Sequence, residues 1–431
     1  MKKTTVGRDT LLNPFQEKGG RLEDCILDWK AMSPKPYDKR SVDPYTRTRV
    51  ILMNGTEFEN VWFSHQFSRN CANGDVRRAL AFIRRSEQQQ QKLVAALKPD
   101  DETVLEHTIG YEQLAVDLTA HLAKREPDEH VKNALNFALL EDFDHLYRYA
   151  DFLDMENGVH AEQLVGGYTE IMPARPTIAH HRHPYDSIKI PIDSPKANPQ
   201  TKLCVGIITA AEQQTMNYYM NVCATYPNTP GRALYREIGM VEEQHVSQYG
   251  SLMDVQCTWL ENLLMHQYTE CYLYWSCCET ETDPAIRTVW QRMYEMELSH
   301  LHEAAKLLQM EEKKEYQQVV GEGSFPAPLR LESNIDHVRS VLADTVQLTA
   351  CRESYTFVDK LEKDADFFRY QHMVNRGVQD VSSHSVIDRH IQNFGQDYRF
   401  ELAPNPIEAL RDRAKDNTQV GREPMRELTH A

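Results

Sequence analysis

Two segments of the chain carry the same pair of potential metal ligands, a glutamate followed three residues later by a histidine. They are Glu242-x-x-His245 and Glu297-x-x-His300. Residues three apart lie on one face of an α-helix, and both pairs fall within the apolar stripe of a helical pattern. A carboxylate that points into a core is strongly disfavoured unless a partner compensates its charge. The spacing therefore indicates side chains that bind a divalent cation.

Two further helical segments each place one carboxylate in the same environment, Glu212 in one and Glu270 in the other. No Lys or Arg shares these apolar stripes, so the protein itself offers no counter-charge. If consecutive helices pack antiparallel, Glu212 lies level with Glu242 and Glu270 lies level with Glu297. The predicted metal ligands are Glu212, Glu242, His245, Glu270, Glu297 and His300. The alternative is that these acids form salt bridges in partly solvated helix interfaces.

One Glu from each of two helices and a Glu-x-x-His from each of two others resembles the ligand pattern of the ferritin-like di-iron and di-manganese carboxylate superfamily, which includes rubrerythrin- and bacterioferritin-type four-helix bundles. The resemblance covers residues 203–312. It implies a cofactor of two iron ions, with manganese as the alternative. It also implies that Glu242 and Glu297 join the two histidines on the metals, and that Glu212 and Glu270 complete or bridge the site.

Periodicity predicts an all-α fold class with an additional N-terminal helical block and a small N-terminal β-hairpin, and the resemblance implies that residues 203–312 form a ferritin-like four-helix bundle. The hairpin is expected because Asn54-Gly55, a typical two-residue turn, separates two short apolar segments within residues 49–63. The predicted domains are an arm with the hairpin, a helical block, an irregular connector, the metal-binding bundle, and a C-terminal helical extension with its tail: 1–75, 76–157, 158–202, 203–312 and 313–431.

The N-terminal helical block repeats part of the proposed bundle. A shift of the sequence by 100 residues aligns three potential ligands, Glu112 with Glu212, Asp142 with Glu242, and His145 with His245. We interpret residues 103–155 as a diverged half-bundle repeat. It is either a degenerate structural repeat or a second metal site, for which the candidate ligands are Glu87, Glu112, Asp142 and His145.

Other residues could assist such a site. Tyr219, Tyr249 and Tyr274 border the predicted ligands and are candidates for hydrogen bonds to them, although aromatic packing in the core is the favoured interpretation. The histidines of the stretch Ala179–Pro184 suit a transition metal by residue type, but a surface or packing role is the simpler interpretation.

Composition limits the partners and the location of the chain. The net charge of −16 disfavours binding to nucleic acid. No apolar run approaches the length of a membrane span, and the first residues lack the apolar core of a signal peptide. Nine cysteines, an odd number without a C-x-x-C pair, indicate reduced thiols. We therefore expect a cytoplasmic protein that does not bind membranes, and we expect it to be a homo-oligomer.

The predicted function is that of an oxidoreductase whose di-metal site acts on peroxide, dioxygen, or an organic substrate together with dioxygen. Hard carboxylate ligands favour iron or manganese over copper. The chain lacks the paired C-x-x-C motifs of a rubredoxin module, so an external electron-donor protein is a possible partner. The alternatives are a non-catalytic iron-binding ferritin-like protein and a helical interaction protein with a relic site. The sequence does not identify catalytic residues.

Overall fold

The computed structural model describes residues 11–172, 174–175, 177–377, 380–395 and 406–408. Within them the chain forms thirteen α-helices and one small antiparallel sheet of two strands, which confirms the predicted helical class. No helix among the described residues is both long enough and apolar enough to cross a membrane. The expected tail, from about residue 404 onward, lies outside the described residues apart from 406–408.

Eight long helices form four helical hairpins, each made of two consecutive helices joined by a short loop. The hairpins are α1 Pro44–Asn70 with α2 Gly74–Ala95, α3 Val104–Arg125 with α4 Glu129–Asn157, α6 Pro199–Thr225 with α7 Thr229–Ser251, and α8 Trp259–Thr280 with α9 Pro284–Glu312. Local sequence fixes their first turns. Capping boxes begin α3 at Thr103 and α8 at Thr258, while an aspartate cap followed by proline begins α1 and α9.

The remaining elements are short. The connector between α4 and α6 is largely irregular and contains the single-turn helix α5 Glu162–Val165. After α9 the chain adds helices and a β-hairpin in which Leu348 pairs with Phe357. These elements are α10 Gln317–Val320, α11 Ile335–Thr345, β1 Leu348–Cys351, β2 Ser354–Phe357, α12 Asp366–Val374 and α13 Ser382–Phe394.

The four hairpins assemble into two four-helix bundles. The second hairpin packs against the third, so that α3, α4, α6 and α7 form one bundle. The first packs against the fourth, so that α1, α2, α8 and α9 form the other, and contacts of α1 and α8 with α6 join the two. The expected single bundle over residues 203–312 is therefore wrong in its pairing, because its two hairpins belong to different bundles.

The predicted N-terminal β-hairpin is wrong, since α1 runs through the whole of residues 49–63 as an α-helix. The helix is buried on nearly all sides along its first half, so its sequence lacks the one-sided pattern of a surface helix. Gly55 is not a turn residue. A Cβ atom there would lie 2.7 Å from Cβ of Gln214 and 3.2 Å from the carbonyl oxygen of Ala210, so glycine permits the close approach of α1 and α6.

Candidate metal centre

The bundle of α3, α4, α6 and α7 encloses a group of four carboxylates and two imidazoles, which we call the first cluster. Each helix contributes: Glu112 from α3, Asp142 and His145 from α4, Glu212 from α6, and Glu242 and His245 from α7. All six side chains are at most 1% exposed. Ligand atoms of Asp142, Glu212, Glu242 and His245 lie within 4.8 Å of one another, as do those of Glu112, His145 and Glu242. These two groups share Glu242 and could hold metal ions.

The two histidines contact the carboxylates of the opposite hairpin. Nδ1 of His145 lies 2.8 Å from Oε1 of Glu242, and Nδ1 of His245 lies 3.2 Å from Oδ1 of Asp142. The two imidazole rings are 6.1 Å apart between centroids. The residues related by a shift of 100 in the sequence thus face each other across one site. The diverged repeat forms half of this cluster rather than a separate one.

Burial and neighbouring charges shift the pKa values of the carboxyl groups in the first cluster. Burial, and then the charge of Glu212, raises the pKa of Asp142 well above its usual value. Burial likewise raises the pKa of Glu212 to about 7. Glu242 behaves oppositely: burial alone would raise its pKa, but His145 and His245 together outweigh that effect and lower it. Such opposed shifts among neighbouring carboxylates are typical of functional sites.

The first cluster leaves several carboxylate oxygens without a hydrogen bond from the protein. These are Oε2 of Glu112, Oδ2 of Asp142 and both oxygens of Glu212, whereas Oε1 of Glu242 and Oδ1 of Asp142 contact imidazole nitrogens. In the described residues, the ion-pair partners of Asp142, Glu212 and Glu242 are the two histidines. Unsatisfied buried carboxylates are costly, and a bound divalent cation would satisfy them. The residues present therefore fit a metal site.

Glu141, beside Asp142 on α4, orients one of the potential ligands. Its Oε2 lies 2.8 Å from Nε2 of His245. If Nε2 carries the proton, the lone pair of Nδ1 is directed towards the first cluster, where it lies 3.2 Å from Glu242. Arg182 donates to both oxygens of Glu141 at 2.8 Å. Although burial opposes ionisation, Arg182 and His245 lower the pKa of Glu141 to about 2.

His145 has a different neighbour. His180 from the connector lies with its ring centroid 5.7 Å from that of His145, is 1% exposed, and has no hydrogen bond at either ring nitrogen. Burial, and then the charge of Arg175, lowers its pKa well below the usual value, so His180 is neutral. Gln244 of α7 holds this segment by donating to the carbonyl oxygen of His180. The two histidines of the first cluster are therefore inequivalent.

The three tyrosines singled out from the sequence divide between two sites. Tyr219 donates its hydroxyl hydrogen to Glu112. Tyr249 is fully buried with an unpartnered hydroxyl, and its ring centroid lies 6.5 Å from that of His245, so it borders the first cluster. Tyr274 instead donates to Glu57 of α1 at 2.5 Å. Their role towards a metal stays a prediction.

The other bundle encloses a second group of buried acids, which we call the second cluster. It contains Glu57, Glu87, Glu270, Glu297 and His300, all with 0% exposure. Nδ1 of His300 lies 3.1 Å from Oε1 of Glu297. Amide groups surround the carboxylates: Asn60 donates to Glu270, Gln90 to Glu297 and Gln267 to Glu87.

The six ligands expected at one site thus lie in two clusters. Glu212, Glu242 and His245 belong to the first cluster, and Glu270, Glu297 and His300 belong to the second. Glu87, expected beside Glu112, lies instead in the second cluster, where Glu297 and His300 act on its pKa. Glu112, Asp142 and His145 complete the first cluster rather than forming a site of their own.

Sequence reasoning missed Glu57, Glu141 and Arg182 as parts of these sites, and it gave the histidines of Ala179–Pro184 a surface or packing role although His180 is buried beside His145. A signal for Glu57 was present: thirty residues separate Glu57 from Glu87, as they separate Glu112 from Asp142 and Glu212 from Glu242. The erroneous β-hairpin concealed it. For Glu141 and Arg182 no local pattern exists, since their role depends on how the connector packs on α4 and α7.

Comparison of the chain with protein-family models, with curated proteins and with solved structures finds no match.

Proposed function

We propose that the chain is a di-metal carboxylate oxidoreductase of the ferritin-like type, with two iron ions, or alternatively two manganese ions, held in the first cluster. The observation that supports this is the convergence of four carboxylates and two imidazoles, all buried, with several carboxylate oxygens that make no hydrogen bond. The proposed substrates are peroxide, dioxygen, or an organic molecule together with dioxygen. An external electron-donor protein remains part of the proposal.

The proposed ligands are Glu112, Asp142, His145, Glu212, Glu242 and His245. Four carboxylates balance the charge of two divalent ions, and each imidazole adds one nitrogen. Bound iron or manganese would supply redox chemistry with dioxygen or peroxide. In the proposed ligand set Asp142 occupies a position where the superfamily's pattern has glutamate.

The surrounding residues prepare the site for this role. Glu141 holds the ring of His245 so that Nδ1 is available to a cation, and the hydroxyl of Tyr219 fixes one oxygen of Glu112. Burial of all six side chains excludes bulk water, which strengthens the electrostatic interactions within the cluster. Neutral His180 lies beside His145 without adding a positive charge.

The test compares metal content and reactivity in matched variants. The protein is purified without chelators or an affinity tag, and its metal content is measured by elemental analysis. Glu242→Gln removes the carboxylate shared by both groups of ligand atoms. Glu243→Gln changes a neighbour that is only half-buried and accepts a hydrogen bond from Ser247, so it serves as the control.

We expect Glu242→Gln to lose iron or manganese relative to the wild type while Glu243→Gln keeps it. The reduced wild type should then react with dioxygen or peroxide, with an optical change or turnover that Glu242→Gln lacks. Metal without any such reaction would favour a non-catalytic iron-binding protein. Equal metal content in the two variants would contradict a metal site in the first cluster and favour a relic.

A further inference from the structure

The second cluster repeats the arrangement of the first with one replacement, a glutamine for a histidine. In every hairpin the second helix carries a buried acid followed three residues later by a buried polar side chain. The pairs are Asp142 with His145, Glu242 with His245, Glu297 with His300, and Glu87 with Gln90. Gln90 uses its amide nitrogen to donate to Oε1 of Glu297 at 2.6 Å. Because that nitrogen has no lone pair to offer a cation, the second cluster keeps one nitrogen ligand, His300.

Every carboxylate of the second cluster has one oxygen held by the protein and one oxygen without a partner. The donors to the held oxygens of Glu57, Glu87, Glu270 and Glu297 are, in that order, Tyr274, Gln267, Asn60 and Gln90. The four remaining oxygens are buried and unpartnered, as is Nε2 of His300. Neutral donors thus fix the carboxylates without neutralising them. This pattern leaves one free oxygen on each side chain for a ligand.

The free oxygens belong to side chains that interact with one another. Nε2 of Gln267 lies 2.8 Å from Glu87 and 3.5 Å from Glu270, so these two carboxylates are adjacent. The charge of Glu297 acts on both of them, and His300 acts on Glu87. In the described part of the chain, the ion pair made by these carboxylates is that of Glu297 with His300. The cluster thus has one imidazole for four carboxyl groups.

We propose that Glu87, Glu270, Glu297 and His300 bind one divalent cation, at a site separate from the first cluster. Three carboxylate oxygens and one imidazole nitrogen suit a hard cation such as Mn²⁺ or Fe²⁺ better than copper. Glu57 and Gln90 line the side that lacks a second nitrogen. Among the described residues, the groups whose ligand atoms all lie within 4.8 Å of one another belong to the first cluster. The side chains of the second cluster must therefore move closer together when the cation binds.

Titration of chelator-stripped full-length protein with Mn²⁺, followed by electron paramagnetic resonance of the free ion, tests this. We expect about three ions per chain in the wild type, two in the first cluster and one in the second. The variant Glu270→Gln with Glu297→Gln keeps the side-chain shapes and the accepted hydrogen bonds, and it should bind about two. Glu295→Gln, which is exposed on the same helix, is the matched control and should bind as the wild type does. Far-UV circular dichroism and thermal unfolding establish that each variant is folded.

A complementary variant removes the first cluster instead. Glu212→Gln with Glu242→Gln should retain about one Mn²⁺ per chain, bound in the second cluster. If it retains none although the wild type binds ions, or if the second-cluster variant binds as many as the wild type, the second site is refuted while the proposed function stands. If instead the first-cluster variant loses no ions, the proposed function fails while the second site survives.

A variant that binds more ions than the wild type cannot be explained by a loss of folding. Gln90→His restores the second imidazole of the repeated pattern, so we expect about one more Mn²⁺ per chain than in the wild type. An unchanged stoichiometry would contradict the reasoning that the number of imidazoles limits this cluster to one cation.

Discussion

Replacing Glu141 by glutamine tests whether this carboxylate orients the potential metal ligand His245, in addition to stabilising the bundle. Glu141 is fully buried, and it accepts from His245 and from Arg182, each at 2.8 Å. Glutamine keeps the shape but removes the charge that holds the imidazole ring and balances two buried arginines, Arg182 and Arg175. Loss of a carboxylate that supports a ligating histidine lowers metal affinity by about 10- to 100-fold.

The same change also costs stability. Removing one partner of a buried ion pair destabilises a protein by roughly 3 to 5 kcal/mol, and because the glutamine oxygen still accepts one hydrogen bond we expect about 3 kcal/mol. Urea unfolding of the metal-free protein measures this cost. Competition with a chromophoric chelator measures the affinity for Mn²⁺ in the first cluster.

Asp144→Asn is the matched control for Glu141→Gln. Asp144 is also fully buried on α4 and pairs with Arg148 at 2.8 Å, and it accepts from Thr177 rather than from a potential ligand. It should lower stability by a similar amount without a comparable loss of metal affinity. If both variants weaken metal binding equally, the loss reflects destabilisation of the bundle, and the orienting role of Glu141 is refuted.

Two further predictions concern stability. Gly55→Ala should lower the free energy of urea unfolding by about 1 to 3 kcal/mol, because the new Cβ would lie 2.7 Å from Cβ of Gln214. The control Gly250→Ala, whose Cβ would have nothing within 4 Å, should leave that free energy unchanged or raise it by up to about 1 kcal/mol. Equal effects of the two variants would contradict the close packing of α1 on α6. Burial alone would raise the pKa of Glu102, but a hydrogen bond and charge from His107 together with the charge of Arg47 lower it to about 2 from 4.5. Ionised Glu102 therefore contributes roughly 3 kcal/mol to the free energy of unfolding above pH 4.5, and this contribution is lost as the pH falls towards 2. Glu102→Gln should remove the pH dependence of unfolding in that range. An unchanged pH dependence would exclude this carboxylate as its source.

Local sequence predicted the long helices of the chain well. The four helices expected within residues 203–312 are α6 to α9, and the half-bundle expected at residues 103–155 is the hairpin of α3 and α4. Caps and prolines are local signals, and the polar residues within apolar stripes proved to be buried. The failure at α1 has the same origin, since a helix buried on nearly all sides has no stripe, and a glycine used for close packing looks like a turn.

The pairing of hairpins could not be read from the sequence in the same way. A short loop fixes which helices pack within a hairpin, but no local signal decides which hairpin meets which. Seven residues join α7 to α8, which suggested that they belong together, whereas the long connector from 158 to 198 joins α4 to α6. In the structure the short joint links two bundles, and the long connector stays within one and contributes His180 and Arg182 to its centre.

Either pairing of the hairpins would give one cluster with two imidazoles and one cluster with a single imidazole, because one hairpin carries Gln90 where the other three carry histidine. The count of ligands alone therefore does not distinguish the two assemblies. Contacts around the ligands do. Glu141 reaches Nε2 of His245 because α4 packs against α7, and the alternative assembly would leave that nitrogen without this partner. A loss of metal affinity specific to Glu141→Gln would thus support both the orientation of His245 and the pairing of the second hairpin with the third.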